Sequence, residues 1–179
     1  MSAMNDTTPY SISPATPSDA EIFARHRALM FRDIGTLPDG DVEALFSASV
    51  PWFQRLFDRQ EFVGWLVHHG QEVVAGGGIH LREMGPVAGC YRLGRWGHIA
   101  NIYTLPSHRR RGLARSLVEE MLRWSEQNYL DQLTLTASGE GRPLYESLGF
   151  TPTADMKFSA QRNCCAHRSL NPPTPGPSL

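Results

Sequence analysis

Apolar and polar positions along this chain follow two periods, and the switches between them lay out an α/β order of elements. Residues 1–9 show neither period and read as a loose polar arm. Tyr10 to Thr16 predicts a first strand. Ser18 and Glu21 form a capping-box pair that opens a helix through about Phe31, closed by Gly35 and Pro38. A second helical region begins near Asp39 to Asp41, with Val42, Leu45 and Phe46 on one face. Pro51 is expected to interrupt it and start a new turn, and Trp52, Phe53, Leu56 and Phe57 carry the apolar face onward.

Phe62 to His68 and Glu72 to Met84 predict two strands joined at Gly70. The run Gly76-Gly77-Gly78 lies inside the second. It marks a bulge or a close backbone approach, or else a simple kink beneath a helix. Gly85 to Gly97 holds four glycines and predicts a flexible connection. His98 to Leu105 (HIANIYTL) reads as a strand. Leu113, Leu117, Val118, Met121 and Leu122 then share one helical face. Leu133 to Ala137 predicts a further strand, Pro143 to Leu148 a short helix closed by Gly149, and Ala154 to Ala160 a last strand. From Asn163 the chain is polar and Pro-rich, which predicts disorder. The expected organisation is one domain over 10–162 between an arm (1–9) and a tail (163–179).

With 179 residues, 41% of them hydrophobic, the chain can bury a core of domain size. A net charge of −1 gives no overall field favouring nucleic acid or a membrane surface, so neither is an expected partner. No apolar run approaches the ~20 residues needed to span a bilayer, and the polar start lacks the apolar core of a signal peptide. Cys90, Cys164 and Cys165 have no metal-type spacing, so no metal is expected, and a reduced cytoplasm is the simplest setting.

The run Arg109-Arg110-Arg111-Gly112-Leu113-Ala114 changes the picture most. It joins the strand at His98 to Leu105 to the amphipathic helix that follows. The first N–H groups of a helix lack partners inside it and carry partial positive charge. Small residues at Gly112 and Ala114 let a diphosphate come close to them. Arginines alone would read as a solvated turn or a nucleic-acid patch. Here no aromatic-basic stripe accompanies them, and the helix start turns the reading toward a phosphate cradle. No lysine follows Gly112, so this is not a nucleotide P-loop.

The spacing Arg-x-x-Gly-x-Ala, after a strand ending in Thr104-Leu105-Pro106, resembles the acyl-CoA pyrophosphate loop of the GNAT N-acetyltransferases. Leu144-Tyr145-Glu146-Ser147-Leu148-Gly149-Phe150 is similar to the family's second segment, with a strand between the two as the family has it. The resemblance covers residues 98–150. It implies the acyl-CoA N-acyltransferase fold, a central mixed and mostly antiparallel sheet flanked by helices. It also implies acetyl transfer from acetyl-CoA to a primary amine by direct attack.

For the cosubstrate the resemblance implies Arg109, Arg110, Arg111, Gly112, Leu113, Ala114 and Arg115 at the diphosphate, and the backbone of Ile102, Tyr103 and Thr104 along the pantetheine arm. Ser138 adds a side-chain contact, and Tyr145 lies near the sulfur as the acid. His98 is the candidate base, Glu83 its main rival, and His80 and ordered water come next. Period-two geometry puts residues 98, 100, 102 and 104 on one face. Arg32, Asp33, Trp52 and Trp96 fall in the region expected to meet the acceptor. The acceptor stays open between a small amine, an amino acid, an aminoglycoside, and a protein N-terminus or lysine. A homodimer would be in keeping with the family. Two other readings stand beside this one: a non-catalytic acyl-CoA-binding protein on the same fold, and an interaction module using the arginine run.

Overall fold

The structure, a computed structural model, describes residues 9–86, 88 and 91–156. Strand β1 (Tyr10–Pro14) leads through a short turn, Pro17–Asp19, into helix α1 (Ala20–Asp33). The entry is closed by Asp19, whose carboxylate accepts the Thr16 backbone N–H (2.7 Å) and the Thr16 hydroxyl (2.9 Å). The capping pair is therefore Thr16 and Asp19, displaced from Ser18 and Glu21. Pro17 explains the shift: with φ preset and no N–H to leave unpaired, it takes the first position of the turn.

Helix α2 (Val42–Asp58) runs unbroken through Pro51, against the expected interruption. The proline removes the N–H that would pair with the Ser47 carbonyl. Both residues are exposed, so water can take that bond. Ser49, Phe53, Leu56 and Phe57 are buried on the opposite side and hold the helix to the core.

The sheet has five strands in the order β1-β2-β3-β4-β5. The first four, with β2 (Phe62–His69), β3 (Glu72–Met84) and β4 (Gly94–Thr104), pair antiparallel. Helix α3 (Leu113–Gln127) crosses over to β5 (Gln132–Leu135), which pairs parallel to β4. The predicted flexible connection is shorter than expected, because Gly94 and Gly97 belong to β4. At Gly97 a Cβ would sit 2.6 Å from Ile79 and 2.5 Å from Leu133, so glycine there serves close packing. Helix α4 (Arg142–Ser147) follows, and Gly149 takes φ +92°.

The chain divides into a unit ending at Gly149 and one beginning at Phe150. The described part of the second, residues 150–156, has neither helix nor strand. The expected strand at Ala154 to Ala160 is thus absent over 154–156, and its remainder, like the expected disordered tail from Asn163, lies outside the described residues. Among the described residues no helix is long and apolar enough to cross a membrane.

Successive residues of β3 face opposite layers. A Cβ on Gly77 would lie 3.2 Å from Met121 of α3, and one on Gly78 would lie 2.3 Å from Phe62 on the other side. Phe62 belongs to an aromatic cluster with Phe23 of α1 and Phe53 and Phe57 of α2, with ring centroids 5.2–5.8 Å apart. The glycine run therefore exists because large side chains occupy its Cβ space from both layers.

Gly78→Ala should cost about 1–3 kcal/mol by overpacking, since the Val63 carbonyl (2.5 Å) blocks retreat as well as Phe62. Gly40→Ala, with nothing within 4 Å, should stay within about 1 kcal/mol of the parent. Urea midpoints report both. Equal midpoints would remove close packing as the reason for glycine at 78.

Candidate functional site

Strand β4 holds one more residue than β3 across their pairing. Gly78 pairs with Ala100 and Gly76 with Tyr103, so Gly77 alone faces both Asn101 and Ile102. Asn101 absorbs the extra length at φ +58°, a left-handed conformation that Asn tolerates better than most residues. The bulge corrects the expected common face. His98 and Ala100 look toward α1 and α2, whereas Ile102 and Thr104 look toward α3. Ile102 Cδ1 fills the Cβ space of Gly77. Tyr103 returns to the α1 side, where its hydroxyl donates to Asp33 Oδ2 (3.2 Å). Pairing with β5 stops at Ile99 opposite Leu135. Beyond that point the β5-side edge of β4 has no strand partner among the described residues.

After β4 the chain makes a tight turn at Pro106–His108 and reaches α3 through the arginine run. Arg110 (φ +62°) and Gly112 (φ +81°) are left-handed, two residues apart. Backbone that alternates in this way turns consecutive N–H groups toward one point, a geometry that suits an anion. The first intrahelical bond is Ser116 N–H to the Gly112 carbonyl (3.0 Å), so the N–H groups of Leu113, Ala114 and Arg115 precede the ladder. Nothing lies within 4 Å of a Cβ on Gly112, so its role is the φ value, with open space above the helix start. Leu113 is buried and anchors the first turn.

The arginines differ in what they do. Arg109 donates to the Thr104 carbonyl (3.0 Å) and to Asp33, and its guanidinium lies over the Tyr103 ring. Arg111 donates to the Tyr10 hydroxyl (2.9 Å), which itself hydrogen-bonds His108 Nδ1 (3.0 Å). Arg115 donates to Ser147 Oγ of α4 (2.6 Å). Arg110 makes no hydrogen bond or ion pair among the described residues. Three of the four predicted phosphate arginines thus carry hydrogen bonds within the protein, Arg109 and Arg111 at the loop and Arg115 to α4.

Asp33 is the centre of a brace at the loop. Arg32, Arg109 and Tyr103 all point donors at it, so Arg32 and Asp33 are tied to the loop. Burial opposes ionisation of Asp33, but the hydrogen bonds from Arg32 and Arg109 outweigh it and hold the carboxyl below its ordinary value.

On the α1–α2 face, His98 Nδ1 lies 2.9 Å from Thr134 Oγ1 of β5. The Thr134 hydroxyl also lies 3.4 Å from the Gly97 carbonyl; when it donates there it accepts from Nδ1–H, the tautomer that leaves the lone pair of the neutral ring on Nε2. Burial and then the Arg82 charge lower the His98 pKa, so the ring is uncharged at neutral pH. His80, its cross-strand neighbour, packs on Phe62 and Trp52 and is lowered to about 4, mainly by burial. Glu83, three residues along β3 from His80, is exposed on the opposite face, so the structure does not bring it together with His98. Trp96 pairs with Arg82 and Gln132, on the His98 face.

Tyr145 is half-buried on α4, its ring against Gly141, and burial raises its pKa. Ser138 accepts the Gly141 N–H (3.1 Å) and so shapes the entry to α4. Among the described residues no group of three or more His, Cys, Asp or Glu could hold a metal ion. Sequence reasoning passed over Tyr10, Asn101 and Arg27. Asn101 carried a signal, a left-handed-tolerant residue in the middle of a strand run.

Asp33 gives the loop a pH signature. Its folded pKa is depressed, so the stability from its ion pairs is present above the unfolded value of about 3.9 and lost as pH falls through the folded value. Asp33→Asn should melt about 2–4 °C below the parent at pH 7, for about 1 kcal/mol lost at a partly screened site. The gap should close below about pH 4. Melting curves across pH check this, and equal melting temperatures at pH 7 would make the brace idle.

The family model described as an acetyltransferase (GNAT) domain matches residues 71–164. Among solved structures, a GCN5-related N-acetyltransferase from Ralstonia eutropha superposes with a TM-score of 0.76 at 27% identity, over 85% of this chain and 99% of that one. A predicted acetyltransferase from Clostridium acetobutylicum, solved with acetyl-CoA, gives 0.73 at 22% identity over 85% and 96%. Glucosamine-6-phosphate N-acetyltransferase from Arabidopsis thaliana gives 0.63 at 16% identity over 86% and 99%. No curated protein shows a significant match. The matched segment runs from β3 through the bulged strand, the arginine loop and α4, and on it the chain belongs to the GNAT acetyltransferase family.

Proposed function

We propose that this protein transfers an acetyl group from acetyl-CoA to a primary amine by direct attack of the amine on the thioester. The observation that carries the reading is the course of β4. The strand leaves β5 at Ile99, bulges at Asn101, and ends on the arginine–glycine start of α3. A diphosphate at that helix start would let the pantetheine arm run back along the free edge of β4, pairing its amides like an added strand. Arg110 and the N–H groups of Leu113, Ala114 and Arg115 would hold the diphosphate. The family uses acetyl-CoA, and the Clostridium structure contains it.

In this reading His98 takes the proton that the attacking nitrogen loses, directly or through water. Its neutral state and its Nε2 lone pair suit that role. Backbone N–H groups at the bulge stabilise charge on the thioester oxygen. The C–N bond forms as charge moves onto that oxygen, the carbonyl then re-forms as the C–S bond breaks, and Tyr145, a phenol protonated at neutral pH and pushed further that way by burial, donates its proton to the leaving thiolate.

Two substitutions at one position test the loop. Asn tolerates the left-handed φ of Gly112 and Asp has the same shape, so Gly112→Asn and Gly112→Asp differ chiefly in charge. Calorimetry with CoA should find the Asp variant weaker than the Asn variant by about tenfold or more at low salt. Equal affinities would place the diphosphate elsewhere.

Steady-state release of free thiol, with acetyl-CoA and a panel of amines, tests the chemistry. Tyr145→Phe should lower turnover by about a hundredfold, at the low end for general acid catalysis, with CoA affinity unchanged. His98→Ala should lose most rate at neutral pH and less at alkaline pH, where the amine is already free. Unchanged turnover in either variant would return that residue to packing. CoA binding with no amine acetylated would leave a non-catalytic binder.

A further inference from the structure

Arg27 of α1 is a partly buried cation for which the described residues supply no carboxylate. Nη1 donates to Asn101 Oδ1 at the bulge (2.9 Å), and the guanidinium lies 4.9 Å from the rings of both Phe31 and Trp52. Burial lowers its pKa, and among the described residues no acidic charge acts against that. These contacts orient the guanidinium but use only one of its N–H donors. Asn101 is itself 4% exposed, and its Nδ2 has no acceptor among the described residues. A partly desolvated cation with most of its donors unused, beside a buried N–H that cannot offset its charge, is a costly arrangement unless an anion meets the guanidinium.

The surroundings agree. Arg82 adds positive charge to this face, next to His80 and His98. His26 and His80, both lowered to about 4 chiefly by burial, are neutral. Asp33 is taken up by Arg32, Arg109 and Tyr103, and Glu83 lies on the opposite face of the sheet. The site spans five elements: Arg27 on α1, Trp52 on α2, His80 on β3, His98 and Asn101 on β4, and Thr134 on β5.

We propose that Arg27 reads an anionic group on the acceptor, so that the amine acetylated here is a small molecule that also carries a carboxylate or a phosphate. The proposal rests on the acetyl-transfer reading above. The amine nitrogen meets the thioester on the His98 side of the bulge, and the oxyanion takes the free N–H edge of the Arg27 guanidinium, which Asn101 Oδ1 holds in place. Polycationic acceptors are repelled by Arg27 and Arg82.

The test uses the full-length protein and amines matched in carbon skeleton: amino carboxylic acids, aminoalkyl phosphates, the amides of the former, and diamines. The parent protein should give KM values for one anionic class about 10- to 100-fold below those of the amides and diamines, and the better class distinguishes carboxylate from phosphate. Arg27→Gln should raise KM for that class by a similar factor and leave KM for amides and for acetyl-CoA within about twofold. Arg27→Lys keeps the charge without the fork, covers the case in which the Gln variant fails to fold, and should show a smaller rise for the same class. Preference of the parent protein for amides or diamines would overturn the proposal. So would a loss shared equally by neutral amines, which would reduce Arg27 to a prop for Asn101. Acetyl-CoA binding with no member of any class acetylated would overturn the acetyl-transfer reading, and this proposal with it.

Discussion

Opposite Gly77, strand β4 must fit two residues where its partner offers one. Much of the site's geometry follows from that mismatch. The extra residue sends Asn101 into a left-handed conformation and reverses which side chains meet which layer. It lies two residues past the last β4–β5 pair, where the two parallel strands part. Gly77 makes it sterically feasible, because Ile102 occupies the volume that any side chain at 77 would need. A residue fitted for its lack of a side chain on β3 thereby sets the shape of its neighbour β4.

Charge is used in two different ways around this frame. At the loop, cations and an anion neutralise one another. Asp33 draws in Arg32 and Arg109, and Tyr10 ties Arg111 and His108 to β1, so the loop at the helix start is held by bonds to α1, β1 and β4. At the bulge, a cation stands between aromatic faces without a counterion among the described residues. The three histidines of this face are uncharged at neutral pH because burial disfavours their protonated form. Its electrostatic field therefore comes from guanidinium groups, whose charge does not change over any pH at which the protein is folded.

Local periodicity made the elements legible in the sequence, and the arginine–glycine run with the Leu144–Phe150 segment made the family legible. What escaped notice depended on tertiary contact. The helix entry moved from Ser18 to Thr16 because Pro17 claimed the first position. Pro51 stayed inside α2 because packing on the far side of the helix outweighed one lost backbone bond. The common face of residues 98 to 104 failed because an alternation rule cannot count an extra residue that only the pairing with β3 exposes. Basic residues in a loop look alike in sequence, and only the fold separates Arg110, which has no hydrogen bond or ion pair among the described residues, from Arg109, Arg111 and Arg115, which do.

The choice of arginine over lysine at every one of these positions has a chemical consequence. A thioester is an electrophile, and it acylates any nearby amine that sheds its proton. Lysine would hold a diphosphate about as well as a point charge, yet each lysine beside the proposed acyl donor would be a competing acceptor. Guanidinium keeps its proton and offers no nucleophilic lone pair. The chain has Lys157 as its only lysine, and the cations at the loop and the bulge are all arginine. The positive charge that would grip the donor is supplied by groups that the donor cannot consume, so its own scaffold would leave the acetyl group for the acceptor.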